Sequence, residues 1–155
     1  MNPQYKLHTF SDGTTNETQL QSIYDLNQAN TPEVGSLESM NHLKQLIELS
    51  AYNLLALDDD EVIGFIICMR ESSGYGSENY KFFTQRLKKF LYVDRIAIDE
   101  QHRKAGLGQA IYENIFVQAR IIMFIYYLSN AFVYSKLCDY VYLSSKPQIF
   151  HVPTL

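Results

Sequence analysis

The chain has no tryptophan, two cysteines and four prolines among its 155 residues, and no glycine after Gly108. Cys68 and Cys138 show neither metal-ligand spacing nor a disulfide framework. That excludes a zinc module and a disulfide-stapled secreted scaffold, and it suits a reducing, cytoplasmic setting. Met1–Lys6 lacks a basic start followed by an apolar stretch, so no secretory leader is read there. No run approaches the ~18–20 apolar residues of a membrane span, and no membrane association is expected. His8, His42, His102 and His151 are scattered, so no metal site is expected. A net charge of −4 argues against a nucleic-acid partner.

What is present is a globular composition, with 46% hydrophobic and 19% charged residues. Such a chain of this length buries a core within one domain. Its charge is uneven. Residues 1–80 carry 12 acids and 3 bases, whereas residues 81–120 carry 8 bases and 4 acids. The basic stretch favours a polyanionic ligand in that part of the chain.

Periodicity predicts alternating strands and helices. Lys6–Phe10 reads as a first strand. Glu17–Gln28 reads as a helix with Leu20, Ile23, Tyr24 and Asn27 on one face. Ser36–Ser50 reads as a second helix, capped by Ser36 with Glu38 in its first turn. Tyr52–Leu57 and Glu61–Met69 read as strands around the turn Asp58–Asp60. The near-continuous apolar run from Val62 to Met69 predicts a strand covered on both faces. After the polar loop Ser72–Asn79, Tyr80–Lys89 mixes aromatics with bases. Phe90–Ile98 reads as the central strand and Leu107–Arg120 as a helix.

The most telling string is Arg103-Lys-Ala-Gly-Leu-Gly108, which joins the central strand to that helix. Glycines at a helix N-terminus leave backbone N–H groups bare, where a phosphate can approach closely. There is no Gly-Lys-Ser/Thr, and position 111 is Ile111, so neither a Walker loop nor a dinucleotide triplet fits. An Arg-x-x-Gly-x-Gly turn after such a strand resembles the acyl-CoA signature of the GNAT N-acetyltransferases. Ile63-Gly-Phe, Met69-Arg-Glu, Tyr75, Ser77-x-Asn-Tyr80 and Phe90-Leu-Tyr-Val-Asp-Arg-Ile96 extend the resemblance over roughly residues 5–120.

The resemblance implies a mixed, splayed α/β sheet with helices on both faces and acetyl-CoA in the gap between its diverging strands. Ile96, Ala97 and Ile98 are then expected to bond the pantetheine arm through their backbone. Amides of Arg103, Lys104, Ala105, Gly106, Leu107 and Gly108 are expected to cradle the diphosphate. Direct attack of an amine on a thioester needs a proton acceptor and a donor for developing charge. By simple strand alternation Asp94 shares a face with Ile96 and Ile98, which makes it the candidate base or amine anchor. Tyr92 shares that predicted face and joins it as a catalytic candidate. Glu71, Tyr75, Asn79 and Tyr80 lie where a loop caps the acceptor pocket. The expected acceptor is a small amine or amino-acid-like molecule.

Residues 121–155 depart from this pattern. They hold three charged residues and eight aromatics, and the Asn-Pro-x-Ser-x-x-Phe-His motif of the family is missing. The expected division is therefore a core at 1–120 and an atypical apolar tail at 121–155. Three readings of the tail stand open. It can be a divergent segment that still completes the sheet, or a membrane segment interrupted by Ser129-Asn130, Lys136 and Asp139. It can also be a shifted reading frame, since codons for Lys146–Pro153 read one nucleotide later are compatible with the missing motif. An apolar tail lacking a strand partner favours a homodimer or aggregation. Two further function classes remain beside the enzyme: an acyl-CoA-binding module without turnover, and a self-associating interaction protein.

Overall fold

The computed structural model describes residues 5–103, 106–129, 140–143 and 149–151, with side chains as far as Ile121. Strand β1 (Lys6–Thr9) leads to helices α1 (Glu17–Ala29) and α2 (Met40–Leu49). Strands β2 (Tyr52–Asp58) and β3 (Glu61–Arg70) follow, then helix α3 (Glu78–Thr84) and strand β4 (Leu91–Ile98). A short 3-10 turn (Glu100–His102) precedes helix α4 (Leu107–Ser129), and β5 (Tyr140–Leu143) and β6 (Ile149–His151) close the sequence of elements. The six strands lie in chain order. β1 to β4 form an antiparallel meander, β5 is parallel to β4, and β6 is antiparallel to β5.

The apolar run in β3 works as its composition predicts. Phe65, Ile67 and Met69 join a core with Leu20 and Ile23 of α1 and Leu43, Leu46 and Ile47 of α2. Ile66 and Cys68 face the other way, against Leu107, Ile111 and Ile115 of α4. Each fully buried Leu or Ile contributes about 1.5–3 kcal/mol of transfer free energy, so α1, α2 and α4 are held chiefly by these stripes. Among the described residues, no helix is long and apolar enough to cross a membrane.

Local chemistry sets the helix ends. Asn16 caps α1, accepting from Gln19 N–H at 2.8 Å, while the Gln19 side chain accepts from Asn16 N–H. The second helix starts three residues later than its periodicity predicts. Gln28 captures both the N–H and the carbonyl of Leu37, so Ser36 cannot cap. Ser39 caps instead, accepting from His42 N–H at 3.2 Å. The fourth helix runs on to Ser129, well past the predicted end at Arg120. Within the atypical tail, β5 pairs with β4 over three residues and β6 pairs with β5.

Candidate active site

The site grows from a change of partners along β4. Leu91, Tyr92 and Val93 pair with β5 on one side and β3 on the other. Among the described residues, no strand pairs with the β5-side edge beyond Val93. The β3 register jumps at the same place: Cys68 faces Val93 and Ile67 faces Arg95, leaving Asp94 as the extra residue of a bulge. A bulge bends the strand and resets its alternation. Tyr92 and Ala97 therefore face α1 and α2, while Val93, Ile96 and Ile98 face α4. The expectation that Tyr92 shares a face with Ile96 and Ile98 is overturned, because regular alternation cannot pass through the inserted residue. The same bulge removes the alternation argument that put Asp94 on that face.

Asp94 sits in a buried polar knot. Arg95 Nε donates to Asp94 Oδ2 at 2.8 Å, both side chains being 5% exposed. Arg95 Nη1 also donates to Asn27 Oδ1 at 3.1 Å and to the Gly35 carbonyl at 3.3 Å. The Tyr75 phenol adjoins both charges. Burial raises its pKa, and the Asp94 carboxylate raises it further. In the sequence Arg95 reads only as part of the Phe90–Ile96 string and Asn27 only as part of a helix face; neither reads as a site residue, since 68 positions separate them.

Beyond the bulge, a cavity of ≈ 510 Å³ opens between the end of α1, the following loop, β4 and α4. Ile96, Ala97, Ile98, Arg103 and Gly108 line it, joined by Asn30, Glu33 and Tyr112. Gly106 has φ +82°, a conformation that disfavours side chains, and its carbonyl accepts the first helical bond from Ala110. At Gly108, which lines the cavity, an added Cβ would meet Ile98 Cδ1 at 3.4 Å, an ordinary contact. Arg103 is exposed, yet it is tethered, donating to Asn30 Oδ1 at 2.6 Å and to the Ile98 carbonyl at 3.2 Å. Lys104 and Ala105 lie outside the described residues. Leu107 is buried against the sheet, so only its backbone is available to the turn.

The loop residues divide. The Tyr80 hydroxyl donates to the Arg70 carbonyl at 2.6 Å and accepts from Ser73 N–H at 3.0 Å, pinning the loop from inside. Its ring packs edge-on against Tyr75 and Tyr92, each 5.7 Å away. Glu71 bridges Arg70 at 2.7 Å and Lys89 at 2.6 Å. Burial works against its charge, but the hydrogen bonds from Arg70 and Lys89 prevail and hold its carboxyl below the usual range. Asn79 is exposed. Among the described residues, no three His, Cys, Asp or Glu side chains are grouped to hold a metal ion.

Comparison with known proteins agrees with this geometry. The profile of the acetyltransferase (GNAT) family matches residues 20–130. No curated protein matches the sequence. The fold is similar to that of ribosomal-protein-alanine N-acetyltransferase from Brucella melitensis biovar Abortus 2308, at 15% identity over 77% of this chain and 74% of that one, TM-score 0.54. Arabidopsis thaliana NAA60, in complex with acetyl-CoA, gives TM-score 0.58 at 14% identity over 90% of this chain and 73% of that one. Aminoglycoside 6'-N-acetyltransferase AAC(6')-Ih from Acinetobacter baumannii gives 0.52 at 15% identity over 88% and 95%. At such identities the structures establish the fold, and the profile, spanning more than half of the sequence, establishes the family: this chain belongs to the GNAT acetyltransferases.

Proposed function

We propose that this chain transfers an acetyl group from acetyl-CoA directly to the amine of a small or amino-acid-like acceptor in the cytoplasm. One observation carries the reading. Among the described residues, no strand pairs with the edge of Arg95–Ile98 away from β3, and a cavity leads from there to the glycine turn that opens α4. Acetyl-CoA supplies an activated thioester. The backbone of Ile96, Ala97 and Ile98 offers an edge strand's hydrogen bonds to an amide-bearing arm. Amides from Arg103 to Gly108 hold the diphosphate, with Lys104 and Ala105 included on the sequence motif.

Of the two roles read for Asp94, its engagement with Arg95 and Tyr75 favours amine anchor over free base, with the amine proton passing to water. Tyr92 backs this knot from the core through the aromatic cluster. Tyr75 adjoins the Asp94–Arg95 pair and serves as an acceptor contact, and Tyr80 and Glu71 fix the loop that carries it. Asn79, exposed in the first turn of α3, serves as an outer acceptor contact. Residues 1–120 hold this machinery, and the tail contributes the strand that ends the paired half of β4.

Calorimetric titration with acetyl-CoA, followed by an amine screen for product, tests the proposal. Saturable one-to-one binding with turnover is expected. Gly108→Val fills the cradle and is expected to weaken binding at least about tenfold, or 1.4 kcal/mol. Binding without turnover on any amine would leave an acyl-CoA-binding module. Concentration-dependent association without CoA binding would leave a self-associating protein.

A further inference from the structure

The end of α1 carries two asparagines one turn apart, and each receives an arginine from β4 or the turn after it. Asn27 is 0% exposed and accepts from Arg95 Nη1 at 3.1 Å, while its Nδ2 donates to the Gly35 carbonyl at 3.1 Å. Asn30, the residue that ends α1, accepts from Arg103 Nη2 at 2.6 Å. The buried bonds of Asn27 fix the last turn of the helix, and with it the place where Asn30 stands. The Asn30 amide is oriented by its own helix: its Nδ2 donates to the Leu26 carbonyl at 2.8 Å, which leaves Oδ1 for the arginine.

The strand grips Arg103 a second time. Asp99 N–H donates to the Ile63 carbonyl at 2.9 Å, and Ile98 stands opposite Gly64. In an antiparallel ladder successive residues turn their backbone groups to opposite edges, so the Ile98 carbonyl faces away from β3. Arg103 Nε donates to it at 3.2 Å. A carbonyl has two lone pairs, so this bond still leaves room for a ligand's donor. The two grips use Nε and Nη2, and Nη1 has no hydrogen-bond partner among the described residues. Among the described residues that line the cavity, Arg103 is the only cation, and Glu33 and Glu100 line it too.

We infer that Asn30 is a positioning residue for acyl-CoA binding: it holds the Arg103 guanidinium at the cavity, where that cation meets the anionic diphosphate. The inference rests on the acetyl-transfer reading. An arginine already ordered by the protein loses less rotamer freedom when it binds a phosphate. Its fixed charge also offsets the two acids that share the cavity. Asn30 itself touches no phosphate in this role and acts only through Arg103.

The test is a double-mutant cycle read by calorimetric titration with acetyl-CoA, with the melting temperature of each chain alongside. Asn30→Ala is expected to raise Kd roughly 3- to 10-fold, the range for one side chain that must be ordered on binding. Arg103→Ala is expected to raise it at least as much. In the Arg103→Ala chain, adding Asn30→Ala is expected to change Kd by less than about twofold, since the arginine it serves is gone. A role in ending α1 alone would not depend on Arg103 in this way. Asn30→Gly, a residue that helix ends accept, repeats the cycle where the alanine variant does not fold. Equal weakening with and without Arg103 places the effect in the helix end and overturns the inference. An unchanged Kd in the Asn30 variant overturns it too, and a tighter one would make the contact a strap across the cavity instead. In each of these cases the wild-type chain binds acetyl-CoA, and the acetyl-transfer reading stands. Absence of binding by the wild-type chain overturns both together.

Discussion

The two halves of β4 share one strand and differ in almost every physical respect. Leu91–Val93 is paired on both edges, and its side chains are at most 2% exposed in two apolar cores. After the bulge at Asp94, Arg95–Ile98 pairs with β3 and, among the described residues, with no other strand. It places an ion pair where the first half places aromatic and aliphatic groups. The first half has a neighbouring strand on each edge, which suits stability. The second half, among the described residues, has no strand on its other edge and lines a cavity there. A sheet can thus build a binding site by withholding a partner strand rather than by adding residues.

Three substitutions bear on that contrast. The largest effect is expected from Arg95→Ala, which leaves the Asp94 carboxylate buried without its guanidinium. Breaking a buried pair in this way costs about 3–5 kcal/mol, read from urea unfolding. A loss below about 1 kcal/mol would mean that the open half is far less dry than the 5% exposures indicate.

Glu71→Gln probes the entry to the paired half, where Glu71 joins the end of β3 to Lys89. Its folded pKa lies below the ordinary 4.5. Its contribution is therefore complete above that value and lost as pH falls through the folded one. The variant is expected to flatten the stability profile below pH 4.5 and to leave the slope at neutral pH unchanged. A wild-type acid limb of equal steepness in both proteins would remove Glu71 from the account.

The smallest effect is expected from Asn79→Ala. An exposed residue outside both halves changes stability by under about 0.5 kcal/mol. Any measurable change is expected in acceptor KM alone. A shift in melting temperature would show that the first turn of α3 is more tightly integrated than the exposure of Asn79 implies.

Much of this was legible in the sequence. The apolar run of β3, the stripe of α4 and the glycine turn announced a two-faced sheet and the strand–turn–helix of the site. Periodicity is a local signal, and these features are local. The bulge at Asp94 was not legible, because a single inserted residue leaves the apolar pattern almost intact while reversing which face each side chain meets. Arg95 and Asn27 meet across 68 positions, and no spacing rule joins them. Tyr112 read as an ordinary helix residue, since the cavity beside it exists only once α1 and β4 are brought together. The start of α2 moved because a side chain on another helix, Gln28, claimed the Leu37 backbone.

The three-residue pairing of β5 also bears on the order of assembly. Strands β1 to β3 meet β4 through antiparallel pairings with β3 as the immediate neighbour in the chain. β5 reaches Leu91 only from Val141, after α4 has crossed the sheet. Loop-closure entropy makes such non-local parallel pairing slow. The meander is therefore expected to protect its amides from hydrogen exchange early in refolding, with the β4–β5 ladder following. The mouth of the cleft is then a late product of folding, set by where the last strand stops zipping.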